Sequence, residues 1–260
     1  MQKSFIKLGG ESLKPADSFM GLKRELVQGD DFIFTTYQRV QNPNAPYVFY
    51  LEGDGSVWDY RKNRVSEDPT PQMLTMLKLA AIDDRPNVVY VARPCQYTPM
   101  SMNPRCSNLY WTDKRFSEDS IAAMNSVINK INGARHKFTL IGFSGGGGLA
   151  VLIAARNPMV GEIITIAANL DIVSFTKHHR SNPMSQSLNP IDYAKQVNKV
   201  PQLHLSGARD RTVPPFIAEE FVKVADSRCV KNMIIPKASH HKGWGQLWKE
   251  GAYKQPVNCE

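Results

Sequence analysis

The sequence predicts an α/β fold, a mostly parallel sheet covered by helices on both faces. Three observations carry this expectation. Short β-branched and aromatic runs alternate with helically spaced segments along most of the chain. Several of the runs are continuously apolar, as strands buried on both faces must be. And 260 residues with 42% hydrophobic and 22% charged content can bury one sizeable core without metals or disulfides. We therefore expect a single domain over residues 1–260.

Taken in order, residues 1–30 read as an N-terminal extension. The run 32–37 alternates as a half-buried strand, and 47–51 reads as a fully buried one. Helical spacing over 71–82, a strand at 88–91 and a helix from about 117 to 131 follow. Next come a strand at 138–143, a helix over 146–156 and a strand at 163–166. The rhythm lapses over 170–200, a polar stretch carrying Asn182-Pro183 and Asn189-Pro190, which we read as a lid or insertion above the sheet. It resumes with a strand at 202–205, a helix over 215–225, a strand at 231–235 and a last helix from about residue 243. In such sheets functional groups gather at the carboxyl ends of the strands.

Lys and Arg total 32 against 24 Asp and Glu, a net charge of +8. The basic residues are scattered, and short clusters such as Arg61-Lys62-Asn63-Arg64 lack the interleaved aromatics of a nucleic-acid groove, so no nucleic-acid partner is expected. Apolar stretches such as 149–155 fall far short of the ~20 residues a membrane span requires. The start, Met1 to Leu8, has no apolar signal core, which implies either a cytoplasmic protein or one that begins after a removed signal. Four cysteines, Cys95, Cys106, Cys229 and Cys259, form no CxxC pair. They are either free thiols in a reducing compartment or two bridges, of which Cys95–Cys106 and Cys229–Cys259 joins sequence neighbours.

The chemistry is concentrated in Gly142-Phe143-Ser144-Gly145-Gly146, a GxSxG between a predicted strand and a predicted helix. A turn that tight lifts the serine hydroxyl clear of the backbone and tolerates only vanishing side chains at its flanks. A phosphate-binding loop is the competing reading. It fails because the glycines do not spell GxGxxG, no Lys-Ser or Lys-Thr follows, and no acidic residue ends the next strand, so no cofactor is expected.

A serine needs a base and a group to orient it. Asp210 lies just past the strand at 202–205, and His240 and His241 follow the final strand, in the order Ser, Asp, His that the motif requires. Adjacent residues point in different directions, and the short spacing from the strand favours His240. The remaining histidines show no metal-ligand spacing, so no metal is expected. The oxyanion donors are the amide of Gly145 at the helix start and that of Asp54 in Glu52-Gly53-Asp54-Gly55, with Gly55 as the alternative. Glu52 and Asp54, sharing one loop, lack the facing geometry of glycosidase carboxylates.

With these residues in place the chain resembles the α/β-hydrolases over nearly its whole length. More narrowly, Glu52-Gly53-Asp54-Gly55, Arg93-Pro94-Cys95-Gln96-Tyr97, Tyr110-Trp111-Thr112 and Ser187-Leu188-Asn189-Pro190 resemble a group of poorly characterised bacterial members, several of them similar to exported or lipid-anchored envelope proteins. The resemblance implies an oxidising, periplasmic or exported location, with peripheral or lipid-anchored envelope association, the alternative being cytoplasmic. The expected reaction is cleavage of a small-molecule carboxylic ester through an acyl-enzyme. Ser144 is the nucleophile, His240 the base and Asp210 its partner. A serine peptidase resembling prolyl oligopeptidases, and a binding protein that kept the fold without the chemistry, are the alternatives. The wall of the substrate pocket is expected from Phe175, Met184, Leu188, His178, His179 and Arg180.

Overall fold

A computed structural model describes residues 5–6, 14–133, 136–255 and 257–259. Its centre is a nine-stranded sheet built from β1 (Ser18–Phe19), β2 (Leu22–Gln28), β3 (Ile33–Val40), β4 (Val48–Leu51), β5 (Asn87–Val91), β6 (Phe138–Phe143), β7 (Val160–Ile166), β8 (Gln202–Gly207) and β9 (Val230–Ile235). The spatial order is β9-β8-β7-β6-β4-β5-β3-β2-β1. Strands β4 to β9 pair in parallel, whereas β1, β2 and β3 run antiparallel at one edge. Two short pairings, Phe5–Ile6 with Lys14–Pro15 and Trp58–Asp59 with Arg64–Val65, lie outside the sheet.

The continuous apolar runs are explained by burial on two sides. Alternate residues of β4 point to opposite faces: Phe49 and Leu51 pack with helices α2 (Glu118–Asn132) and α3 (Gly145–Ala154), through Ile121, Met124, Val127, Leu149 and Leu152. Val48 and Tyr50 pack on the other face with α1 (Thr75–Ile82) and α6 (Trp244–Lys249), through Met76, Leu77, Trp244 and Trp248. Fully burying each such side chain contributes about 1.5–3 kcal/mol. A further layer, α5 (Phe216–Ala225), packs Ile217 and Phe221 against Val151 of α3 and Leu170.

Two expectations are corrected. Residues 18–28, read as part of an extension, supply β1 and β2. The run Leu22-Lys23-Arg24-Glu25-Leu26-Val27-Gln28 is too charged to read as a buried strand, yet antiparallel pairing with β3, from Lys23 opposite Gln38 to Gln28 opposite Ile33, needs only the backbone and one apolar face. The polar stretch after Asn169 also contains a helix, α4 (Ile172–His179). Asp171 caps it, its carboxylate accepting the amides of Val173 and Ser174 and the side-chain amide of Asn189.

The cysteines pair as Cys95–Cys106 and Cys229–Cys259, the connectivity that joins sequence neighbours. Among the described residues no helix is long and apolar enough to cross a membrane.

Candidate active site

The turn from β6 into α3 is the elbow that the glycine spacing requires. Ser144 sits there at φ 51° and ψ −121°, a left-handed conformation that L-residues avoid and that the surrounding chain must enforce. The enforcement is visible: the Ser144 amide donates to the Ile166 carbonyl at 2.9 Å, and the Ser144 carbonyl accepts from Gly147 and Asn169 at 3.1 and 3.0 Å. A Cβ at Gly142 would meet the Gly146 carbonyl, and one at Gly146 would meet the carbonyls of Leu51 and Glu52. The two glycines therefore permit a backbone crossing that no other residue type fits.

The carboxyl ends of β8 and β9 carry the other two groups. Asp210, its side chain fully buried, accepts the amides of Thr212 and Val213 on Oδ1, each at 2.8 Å, and meets His240 Nδ1 with Oδ2 at 2.9 Å. That arrangement fixes the His240 ring and leaves Nε2 as its other face. The His240 carbonyl accepts from the Trp244 indole at 2.9 Å, which anchors the loop to α6. The His240 ring packs on that of Phe143, the residue before the serine, with centroids 5.0 Å apart. Among the described residues this ring contact, rather than a hydrogen bond, links His240 to the elbow. His241 also touches Phe143, at 5.3 Å, but its Nδ1 turns to the Thr75 hydroxyl at 3.4 Å, and burial beside the His240 imidazole pushes its pKa below the usual histidine range.

The loop after β4 runs beside the elbow, where a Cβ on Gly53 would stand 3.3 Å from that of Ser144. Gly55 takes φ +73°, with the Pro69 carbonyl filling the place a side chain would need. The Asp54 carboxylate lies over Gly145, again occupying the space of a Cβ, and is gripped by two guanidiniums, Arg93 on Oδ1 and Arg115 on Oδ2. Those cations hold its carboxyl below the usual carboxylate range against the opposing effect of burial, which is the largest single influence on it. The sequence did not disclose Arg93, Arg115 or Gln96 as members of the site. Gln96 donates to the Gly53 carbonyl at 3.0 Å and accepts from the Arg93 amide at 3.1 Å, tying the two loops together.

Glu52 is buried, with Oε1 accepting the Gly53 amide and Oε2 the Tyr90 hydroxyl, both at 2.8 Å. Burial pushes its pKa from 4.5 up to about 7, opposed by those hydrogen bonds and by Arg93. Because the folded chain holds this proton more tightly than the unfolded one, the group costs stability as pH rises from about 4.5 to about 7. At about 1.4 kcal/mol per pH unit the whole window is worth about 3 kcal/mol. Glu52→Gln, which keeps an acceptor for Gly53, should gain stability over the wild type progressively across that window. Urea unfolding of both proteins at pH 4.5, 5.5 and 7 checks this; a constant difference would rule it out.

Of the residues expected to wall a substrate pocket, two lie together near Asp210. Phe175 packs on the His179 ring at 4.6 Å, and His179 Nε2 lies 2.7 Å from the Thr212 carbonyl, next to the amides that bind Asp210. His178, His179 and Arg180 are exposed, whereas Met184 and Leu188 pack against the main core. Among the described residues no three His, Cys, Asp or Glu side chains converge as a metal would need.

No family model matches the sequence. Solved structures do match the fold. The Pyrococcus horikoshii acylaminoacyl peptidase superposes with a TM-score of 0.64 over 92% of this chain at 15% identity, and the chain spans 43% of that protein's length. The Pyrococcus furiosus esterase Pf2001 gives 0.62 over 90% of this chain and 88% of its own, at 13% identity. Est1E from Butyrivibrio proteoclasticus gives 0.60 over 89% and 98%, at 12% identity. With its parallel core, its antiparallel edge and a serine at the turn between β6 and α3, the chain has the α/β-hydrolase fold.

Proposed function

We propose that the protein is a serine hydrolase that cleaves a carboxylic ester through an acyl-enzyme. The observation that carries this reading is the pairing of a serine held at φ 51° on the elbow with a hydrogen-bonded His240–Asp210 dyad past the carboxyl ends of β8 and β9. Ser144 attacks the acyl carbonyl while His240 Nε2 takes its proton. Asp210 holds the ring and stabilises the imidazolium, and the amides of Gly145 and Asp54 receive the oxyanion. His240 returns the proton to the leaving alkoxide, and water repeats the sequence to release the acid. Contacts to a nucleophile tighten in the substrate complex, so a ring contact in place of a Ser144–His240 hydrogen bond is compatible with this role.

An amide or peptide substrate is the second reading, favoured by the likeness to an acylaminoacyl peptidase, which extends over less than half of that protein. The two disulfides support an exported or periplasmic location. The test is treatment of the purified protein with a fluorophosphonate and location of the adduct by peptide mass spectrometry. A single adduct on Ser144 is expected. Labelling elsewhere, or none on the folded protein, would overturn the reading, and parallel assays on p-nitrophenyl esters and acyl-peptide anilides separate ester from amide chemistry.

A further inference from the structure

The grip on Asp54 poses an electrostatic question. Its carboxylate lies over Gly145, so an ionised group stands beside the two amides assigned to the oxyanion. A bare negative charge there would oppose the charge that develops on the carbonyl oxygen. Both carboxylate oxygens are instead taken, by Arg93 Nη1 on Oδ1 and by Arg115 Nη1 on Oδ2, the latter at 2.7 Å.

The arginines are held as firmly as the carboxylate. Arg93 is buried, donates through Nη2 to the Arg115 carbonyl and lies over the Phe116 ring at 5.4 Å. Arg115 donates through Nε to the Thr112 carbonyl at 2.7 Å, and its side chain is 12% exposed. One carboxylate would be neutralised by one guanidinium, and buried ion pairs contribute little to stability on balance. Two cations on Asp54 leave these loops with a surplus positive charge while Glu52, the other buried carboxyl that interacts with Arg93, holds its proton, as it does below about pH 7.

We propose that Arg93 and Arg115 are positioning residues for the oxyanion hole: together they fix the Asp54 loop and convert the carboxylate beside Gly145 from a negative to a net positive pole. The proposal rests on the hydrolase reading above, and deepens it by assigning the electrostatics of that site to three residues outside the triad. Fixed charges of this kind act at the reacting centre without reorganising, so the effect falls on the chemical step rather than on binding.

The test is a double-mutant cycle on p-nitrophenyl acetate hydrolysis and on the rate of fluorophosphonate labelling. Arg115→Gln should lower kcat and the labelling rate roughly thirtyfold, with KM changed less than about threefold, as expected for the loss of the surplus positive charge beside the oxyanion together with one of the two anchors on Asp54. In an Asp54→Asn background the same change should cost less than about threefold, because Arg93 alone then keeps the pole positive and Arg115 has no carboxylate to anchor. Arg115→Lys, which keeps the charge, should recover most of the loss. Circular dichroism melts of each variant identify any that fails to fold, and Arg115→Lys against Arg115→Gln then carries the comparison.

Equal losses from Arg115→Gln in both backgrounds, or none in the wild type, would overturn the proposal. If the wild type is labelled at Ser144 while the cycle shows no coupling, the charge assignment alone falls. If Ser144 is not labelled, the hydrolase reading falls and takes the assignment with it.

Discussion

Replacing Ser144 with alanine is expected to reduce ester turnover on the order of 10⁶-fold while leaving a folded protein. The magnitude follows from the role: without the hydroxyl no acyl-enzyme forms, and the dyad and the oxyanion amides can offer only what they would give to water directly. Folding should be retained because the elbow is enforced by backbone hydrogen bonds from Ser144 to Ile166, Gly147 and Asn169, none of which uses the hydroxyl. Steady-state kinetics on a p-nitrophenyl ester, with the far-ultraviolet spectrum as a control, measures this. An Ser144→Ala protein that keeps more than about a thousandth of the wild-type rate would place the nucleophile elsewhere.

His240→Ala should cost about as much as the loss of the serine, because a nucleophile and its base act as a unit. His241→Ala should stay within roughly tenfold of the wild type, a loss attributable to misplacement of the site. The structural reason for the contrast is that only His240 has a carboxylate on Nδ1, at 2.9 Å, whereas His241 leans on the Thr75 hydroxyl at 3.4 Å. His241 nevertheless packs against Phe143 and lies 4.8 Å from the His240 ring, so its removal loosens the base without deleting it. Comparing kcat/KM for the two variants decides the matter, and near-equal losses would mean that the two imidazoles share the role.

The elbow was legible in the sequence because its demands are local. Gly142 and Gly146 lie two residues to either side of Ser144, and the collisions they avoid are with that same stretch and the strand beside it. The dyad was legible as an order along the chain, but the choice between His240 and His241 depends on which ring finds Asp210, 30 residues earlier. The arginine pair was not legible, since Arg93 and Arg115 reach Asp54 across 39 and 61 residues and surface arginines look the same in a sequence. Strand β2 escaped because an antiparallel strand near a sheet edge needs little apolar content. Helix α4 escaped because its strongest local support is a cap, Asp171, whose geometry a polar stretch hides.

The space above Gly145 is a single volume claimed from two places in the chain. The Asp54 carboxylate fills it, and Arg93 and Arg115 prevent it from swinging aside. Positions 54 and 145 are therefore not independent letters in evolution. A lineage that acquires alanine at 145 must first shorten or release residue 54, and one that loses the acid at 54 frees 145 to vary and leaves its two arginines without a counter-ion. Substitutions among these four positions should travel together through descent, a trace readable from gene sequences alone.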